Sequence, residues 1–270
     1  MYIYSFTRFG WFDKVFKLSA GSLKTKTGDL LQLGSEFFLC LGEKISFEEL
    51  YLNVSTIQNA SLEKAYPWFL SLNAIKLLHW MVETYYTTYK SVIRLFVSDD
   101  IEGLLKRESK LKAHLGGGQA KSSKLKDSRQ PLNSPQTKPT TVGESSPLNI
   151  SSEGQTLIVF PDLRTMSNQG WSLERWNDRT IENNNAIILL ASQTQNQKDV
   201  HRWEIKKGIK SVIFCTYAEI FQDFKDLKKI IFVDPHKWYY ASQQDPRYKV
   251  GEVLKKLAEL RGAEVEVVGV

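Results

Sequence analysis

The chain has 270 residues, 42% hydrophobic and 12% aromatic, enough to bury the core of one large or two small domains and too apolar for a disordered tail. Its 36 Lys and Arg against 30 Asp and Glu leave a formal charge of +6, which favours polyanionic partners without requiring them. Cys40 and Cys215 are the only cysteines and stand far apart, which argues against a disulfide framework or a paired-cysteine zinc site and for a reducing compartment.

The first residues lack a basic segment followed by an apolar run, and no later stretch reaches the ~18 apolar residues of a membrane span. A cytoplasmic location without a membrane partner is therefore expected. Asn53, Asn59 and Asn149 stand in Asn-x-Ser contexts, which matter only in a secreted chain. Residues 1–98 open with short β-type runs, VFKLSAG and TGDLLQLGSEFFLCLG, suited to a small twisted sheet or barrel. From Leu62 onward Leu70, Ala74, Leu77, Leu78, Met81 and Tyr85 recur at spacings of three and four, predicting an amphipathic helix that caps the sheet and ends near the tyrosines.

Residues 99–153 are rich in Lys, Ser, Thr, Pro and Gly, and read as a short frayed helix followed by a flexible linker. Between Lys106 and Lys138 seven Lys and two Arg oppose Glu108 and Asp127, so this stretch carries +7. A basic tether adds non-specific phosphate affinity, although such a run also serves solubility alone. Beyond Gly154, five apolar β-rich runs (TLIVF, AIILLA, SVIFC, KIIFV and VEVVGV) alternate with helical or polar segments. That pattern predicts a doubly wound parallel sheet over 154–270. Ligands of such sheets collect at the carboxyl edge, which directs attention to KKIIFVDPHKW and its Asp234 and His236. The plainer account of Asp234 is a strand-ending turn with Pro235. His79, His114 and His201 form no ligand spacing with the cysteines, so no metal site is expected.

The order of residues over most of 154–270 resembles the first motor lobe of the primosomal protein N′ family, the bacterial replication-restart helicases. Phe160, Pro161 and Asp162 fall where that family has a strand ending in Val-Pro-Glu. Trp203, Gly208, Thr216 and Phe221 follow its next helix, strand and turn. Leu227, Ile230, Ile231 and His236 match a strand ending in Asp-Glu-Glu-His, and Tyr240, Pro246, Arg247 and Tyr248 keep the spacing of a later Tyr and Pro-Arg-Tyr. The first 98 residues resemble the same family's DNA 3′-end-binding domain through Phe16 and Leu18, Gly28 and Gly34, and Trp80, Tyr85 and Tyr86. Trp80 and Tyr85 lie on the apolar helix face, where core packing is the simpler account and base stacking the alternative.

The departures from the family bear on chemistry. No G-x-x-x-x-G-K-[ST] occurs, and Gly116, Gly117 and Gly118 are followed by Gln119 with no Lys for a phosphate. Asp-Glu-Glu-His becomes Val233, Asp234, Pro235 and His236, or, with one residue deleted, Asp234 takes the metal-binding place and the general base is absent. The zinc-binding cysteines, winged-helix segment and second lobe have no counterpart, and an Asp that contacts the 3′-hydroxyl is Lys17 here.

The resemblance thus implies an α/β and α+β multidomain chain: a small β-barrel-like domain with a helix (1–98), a basic linker (99–153) and a degenerate RecA-like doubly wound lobe (154–270). DNA binding is expected through Phe16, Lys17 and Gly34 of the family-like domain and, from the charge of the tether, through Lys106, Arg107, Lys110, Lys112, Lys121, Lys124 and Lys126. Forked or single-stranded DNA and replication-restart proteins are the expected partners. No cofactor is expected, and Asp234 and His236 are vestigial. Two alternatives stand beside it: the amino-terminal part of a split helicase, and an interaction scaffold using Trp171, Trp176 and Trp238.

Overall fold

Alternating side chains along the strands of the first sheet decide which residues face each of its two cores, with the pairing slipping between Tyr2 and Ile3 and between Leu30 and Leu31. The computed structural model describes residues 1–6, 15–18, 25–43, 55–57, 63–98, 100–116, 153–168, 185–237, 240–242 and 244–269. Strands β1 (Tyr2–Ser5), β2 (Val15–Leu18), β3 (Leu30–Leu33), β4 (Glu36–Gly42), β5 (Ser55–Ile57) and β6 (Glu63–Tyr66) form one sheet in the order β5-β2-β1-β4-β3-β6. All its pairings are antiparallel except β2 with β5. Tyr2, Tyr4, Leu30, Leu39 and Leu41 enter the main core, while Ile3, Leu31, Phe38 and Cys40 enter a second cluster on the opposite face. The order is open, and among the described residues no pairing joins β5 to β6 to close a barrel.

Helix α1 (Leu72–Tyr85) begins where Ser71 Oγ accepts the Ala74 N–H and ends at Tyr86, whose φ of 48° breaks the helical run. Its buried stripe, Ala74, Ile75, Leu77, Leu78, Met81 and Val82, is the predicted one with Ile75 and Val82 added. The chain then starts again as α2 (Tyr89–Phe96), capped by Thr88, and α3 (Ile101–Gly116). The stretch expected as a short frayed helix is thus a helix of 16 residues. Its first turns are anchored: Ile101, Leu104 and Glu108 are buried at helical spacing, and Arg107 meets the buried Asp199 at 2.5 Å.

Strands β7 (Gln155–Phe160), β8 (Ala186–Leu189), β9 (Val212–Thr216), β10 (Leu227–Val233) and β11 (Glu264–Val268) correspond one for one to the five apolar runs. They are all parallel, in the order β8-β9-β7-β10-β11. Helix α4 (Leu163–Asn168) lies in the β7 to β8 connection, and its Met166 packs with Ile158, Phe160 and Phe214. Helices α5 (Gln195–Lys207) and α6 (Val250–Arg261) lie in the β8 to β9 and β10 to β11 connections and pack on the other face, through Ile205, Val253 and Leu254, with Leu157 and Val159. Right-handed crossovers require this split, because the β7 to β8 step runs across the sheet in the direction opposite to the other two.

The two sheets share one apolar core, which runs without a break from Tyr2 through α1, α2 and α3 to Ala258. Where they meet, Asp223 Oδ2 accepts the Ser71 N–H at 2.9 Å, and Arg261 Nη2 lies 3.0 Å from Asp223 Oδ1 and 2.9 Å from Ser71 Oγ. Both ionised side chains are over nine-tenths buried. Removing one partner of a buried pair strands the other, so Arg261→Met is expected to lower the unfolding free energy by about 3–5 kcal/mol, read from the urea midpoint.

His79 on α1 adds a pH dependence. Its Nε2 lies 2.8 Å from the Leu41 carbonyl, which only accepts, so Nε2 carries the proton and Nδ1, 2.9 Å from the Tyr89 hydroxyl, accepts from it. Burial, opposed by the Leu41 carbonyl and the Glu83 charge, holds the imidazole below its ordinary 6.5. The unfolded chain therefore binds the extra proton first, and stability falls as pH drops through 6.5 toward the lower folded value. Thermal melts between about pH 8 and 5 should show this loss. It should shrink in His79→Gln, which keeps a donor and an acceptor.

Candidate functional site

In the second sheet the neighbours β7 and β10 send their following connections in opposite directions, toward β8 and toward β11. The crevice at their carboxyl ends is therefore the topological switch point, where an open α/β sheet gathers its ligands. The two strand ends that flank it carry acids, Asp162 after β7, a match in the family resemblance, and Asp234 after β10, the acid predicted from the sheet edge.

Each acid also has a local structural task. Asp162 caps α4, its Oδ1 accepting the Thr165 N–H at 2.7 Å and its Oδ2 the Thr165 hydroxyl at 3.1 Å. Asp234 turns the chain with φ 48°, a conformation that Asp tolerates better than most residues. Its N–H donates to Val268 O at 2.8 Å and its carbonyl accepts from Lys237 N at 3.2 Å. His236 follows on the same turn, exposed.

Tyr240 fills the crevice itself. Its hydroxyl donates to the Val233 carbonyl, 2.5 Å away, and lies 3.3 Å from the Val159 carbonyl, bridging the ends of the two diverging strands. The ring packs edge-on to Phe232 with centroids 4.6 Å apart, and the residue is 5% exposed. A phosphate would need amide N–H groups and a cation here, and these two strand ends turn carbonyl oxygens toward a phenol instead. At the end of β9, Glu219 is neutralised by Lys198 Nζ at 2.8 Å, and burial pushes the Cys215 thiol well up, keeping it protonated.

The residues predicted to hold DNA divide into separate groups. Phe16 on β2 is half-buried, edge-on to Phe38 at 6.1 Å, with Lys17 exposed beside it. Gly34 forms the first corner of the two-residue hairpin between β3 and β4, with φ 59° and open space around it. Lys106, Arg107 and Lys110 lie on α3, where Lys106 pairs with Glu102 at 2.6 Å while Arg107 is committed to Asp199 and, at 3.5 Å, Asp100. The Lys112 side chain and all of Lys121, Lys124 and Lys126 lie outside the described residues, as do Trp171, Trp176 and Trp238.

Trp80 and Tyr85 pack edge to face at 5.8 Å against the main core, and the Tyr85 hydroxyl donates to Glu252 at 3.1 Å. Burial and that carboxylate push the phenol up to about 12. Among the described residues the large aromatics most exposed to solvent, Trp68 at 53% and Tyr86 at 85% exposure, both have positive φ, 56° and 48°. Neither was foreseen as an exposed site, although Pro67 before Trp68 signals a turn.

Among the described residues no cluster of three His, Cys, Asp or Glu is placed to hold a metal, and no helix is long and apolar enough to cross a membrane. No family model matches the chain, and the curated proteins hold no significant match to it.

The Tyr240 hydroxyl closes the crevice, so Tyr240→Phe keeps the ring packing and loses the hydroxyl's contacts with the Val233 and Val159 carbonyls. The expected cost is about 1–2 kcal/mol of stability in urea unfolding. An unchanged midpoint would show that the hydroxyl contributes nothing.

Proposed function

We propose that this chain is a DNA-binding protein related to the replication-restart helicases, holding forked or single-stranded DNA without hydrolysing ATP itself. The observation that carries the relationship is collinearity. A mostly antiparallel sheet bearing Phe16 and the Gly34 hairpin is followed by a helix through Trp80 and Tyr85, then by a parallel sheet. The residues that match the motor-lobe motifs, Asp162, Thr216 and Asp234, stand at or just after the carboxyl ends of β7, β9 and β10. On this reading the parallel unit is a RecA-like lobe without its phosphate loop.

The absence of turnover is argued from the crevice. Phosphoryl transfer is catalysed mainly by a preorganised cradle of charge and N–H donors, and Tyr240 occupies the place where diverging strands would present one. The lobe then acts as a support, with lysines of the first sheet and of 99–153 meeting phosphates.

One observation favours a second reading, that the lobe docks another polypeptide, whether the rest of a split motor or an unrelated protein. β11 is an edge strand whose Val265 and Val267 are 36% and 60% exposed, the kind of edge onto which a further strand can pair.

Filter binding of labelled forked DNA at ~50 and ~200 mM salt separates the two, since a protein neutralising several phosphates loses orders of magnitude in affinity over that range. Steep loss of retention, with no ATP turnover in the same buffer, is the expected result. Weak retention that ignores salt would favour docking, and steady DNA-stimulated turnover would overturn the proposal.

A further inference from the structure

Trp68 combines two costly features. It leaves 53% of a large aromatic side chain in solvent, and it holds a backbone with φ 56°. Pro67 precedes it at the turn, and the second corner of such a turn ordinarily takes glycine because of that positive φ. Strain retained at a non-glycine residue points to a use for its side chain.

The surroundings hold this arrangement in place. Asp29, fully buried, accepts the Trp68 N–H on Oδ1 at 2.9 Å and the Lys26 N–H on Oδ2 at 2.8 Å, so one carboxylate fixes both chain segments. Gly28 tightens the same junction: its N–H donates to Cys40 O, its carbonyl accepts from Leu70 N, and a Cβ there would lie 2.0 Å from Leu70 O. The result brings the exposed Lys26 ammonium to 5.0 Å from the Trp68 ring centroid. Core packing needs neither side chain in this position.

We infer that Trp68 and Lys26 form a platform for one unpaired nucleotide, the indole stacking on its base and the ammonium meeting the adjoining phosphate. The ammonium lies over the ring and moves aside to the phosphate as a base stacks, and an exposed aromatic paired with a cation suits single-stranded nucleic acid, whose bases are free to stack, better than an intact duplex. The inference rests on the proposed DNA binding and assigns it a site that the sequence motifs do not contain. Asp29 is the positioning residue for both partners.

The test is fluorescence anisotropy of a labelled oligothymidylate with the full chain, Trp68→Gly, Trp68→Phe and Lys26→Ala. Glycine suits the φ of 56°, so Trp68→Gly should leave the urea midpoint unchanged or raise it while weakening binding about 10-fold. Trp68→Phe should restore most of the affinity, and Lys26→Ala should reduce the salt slope by about one. Equal binding by wild type and Trp68→Gly would overturn the platform and leave the proposed function standing. A lower midpoint in Trp68→Gly would make Trp68 a structural residue and overturn the platform as well. No binding by the wild-type chain would overturn both.

Discussion

The guanidinium of Arg261 is the point at which three distant parts of the chain become one structure. It reaches from the end of α6 to Asp223, to the Phe224 carbonyl before β10, and to Ser71, the residue that starts α1. Ser71 Oγ therefore has two roles, accepting from Ala74 N to begin the helix and from Arg261 to fix where it begins. A buried charge is tolerated only when its surroundings are fully arranged, so this one permits little variation in how α1 meets α6. Further along, Tyr85 bonds to Glu252, and Thr87 and Ser91 bond to Asp245. With α1 held at both ends, the apolar faces of the two sheets are held opposite each other and merge into a single core.

Charge counted along the sequence overstates the charge offered to a partner. Arg107 is consumed by Asp199, Lys198 by Glu219, Lys229 by Glu266 and Arg261 by Asp223, and Lys206 donates to the Phe69 carbonyl. Several of these side chains are largely desolvated, and burial lowers the Arg202 pKa despite the Asp199 and Glu219 charges beside it. Among the described residues the cations left exposed include Lys26 and Lys110, and also Lys76, Lys207, Lys237, Arg247 and Lys255 around the second sheet and α1. Position rather than number decides what such a surface attracts.

How much of this was legible in sequence depends on how local each determinant is. β7 to β10 stood out because strands covered on both faces must be apolar throughout, the exposed edge strand β11 stood out by its valines, and α5 and α6 were visible between them. β1 passed unnoticed because four residues, YIYS, are too few to establish a period, though every one is buried. α3 was undervalued because its surface is Lys and Glu while its anchorage comes from Ile101, Leu104 and an ion pair to a residue 92 positions away. Asp234 was found from the sheet edge, but that reasoning did not foresee Tyr240 over the crevice, since a side chain folding back over the sheet leaves no local pattern. Trp68 was hidden for a different reason: composition shows an aromatic and cannot show the sign of φ beneath it.

The anchoring of α3 changes how the parts before and after residues 117–152 relate to each other. α3 packs on α5, the helix that lies against the sheet containing β7, and β7 is the next described element. Entry to and exit from residues 117–152 are thus both moored to the same body. The parts before and after that stretch share one core and have no freedom to swing relative to each other. Severing the peptide there would yield two fragments still clasped by Arg261, Arg107 and the common core, so the molecule is a natural candidate for reconstitution from separately made pieces.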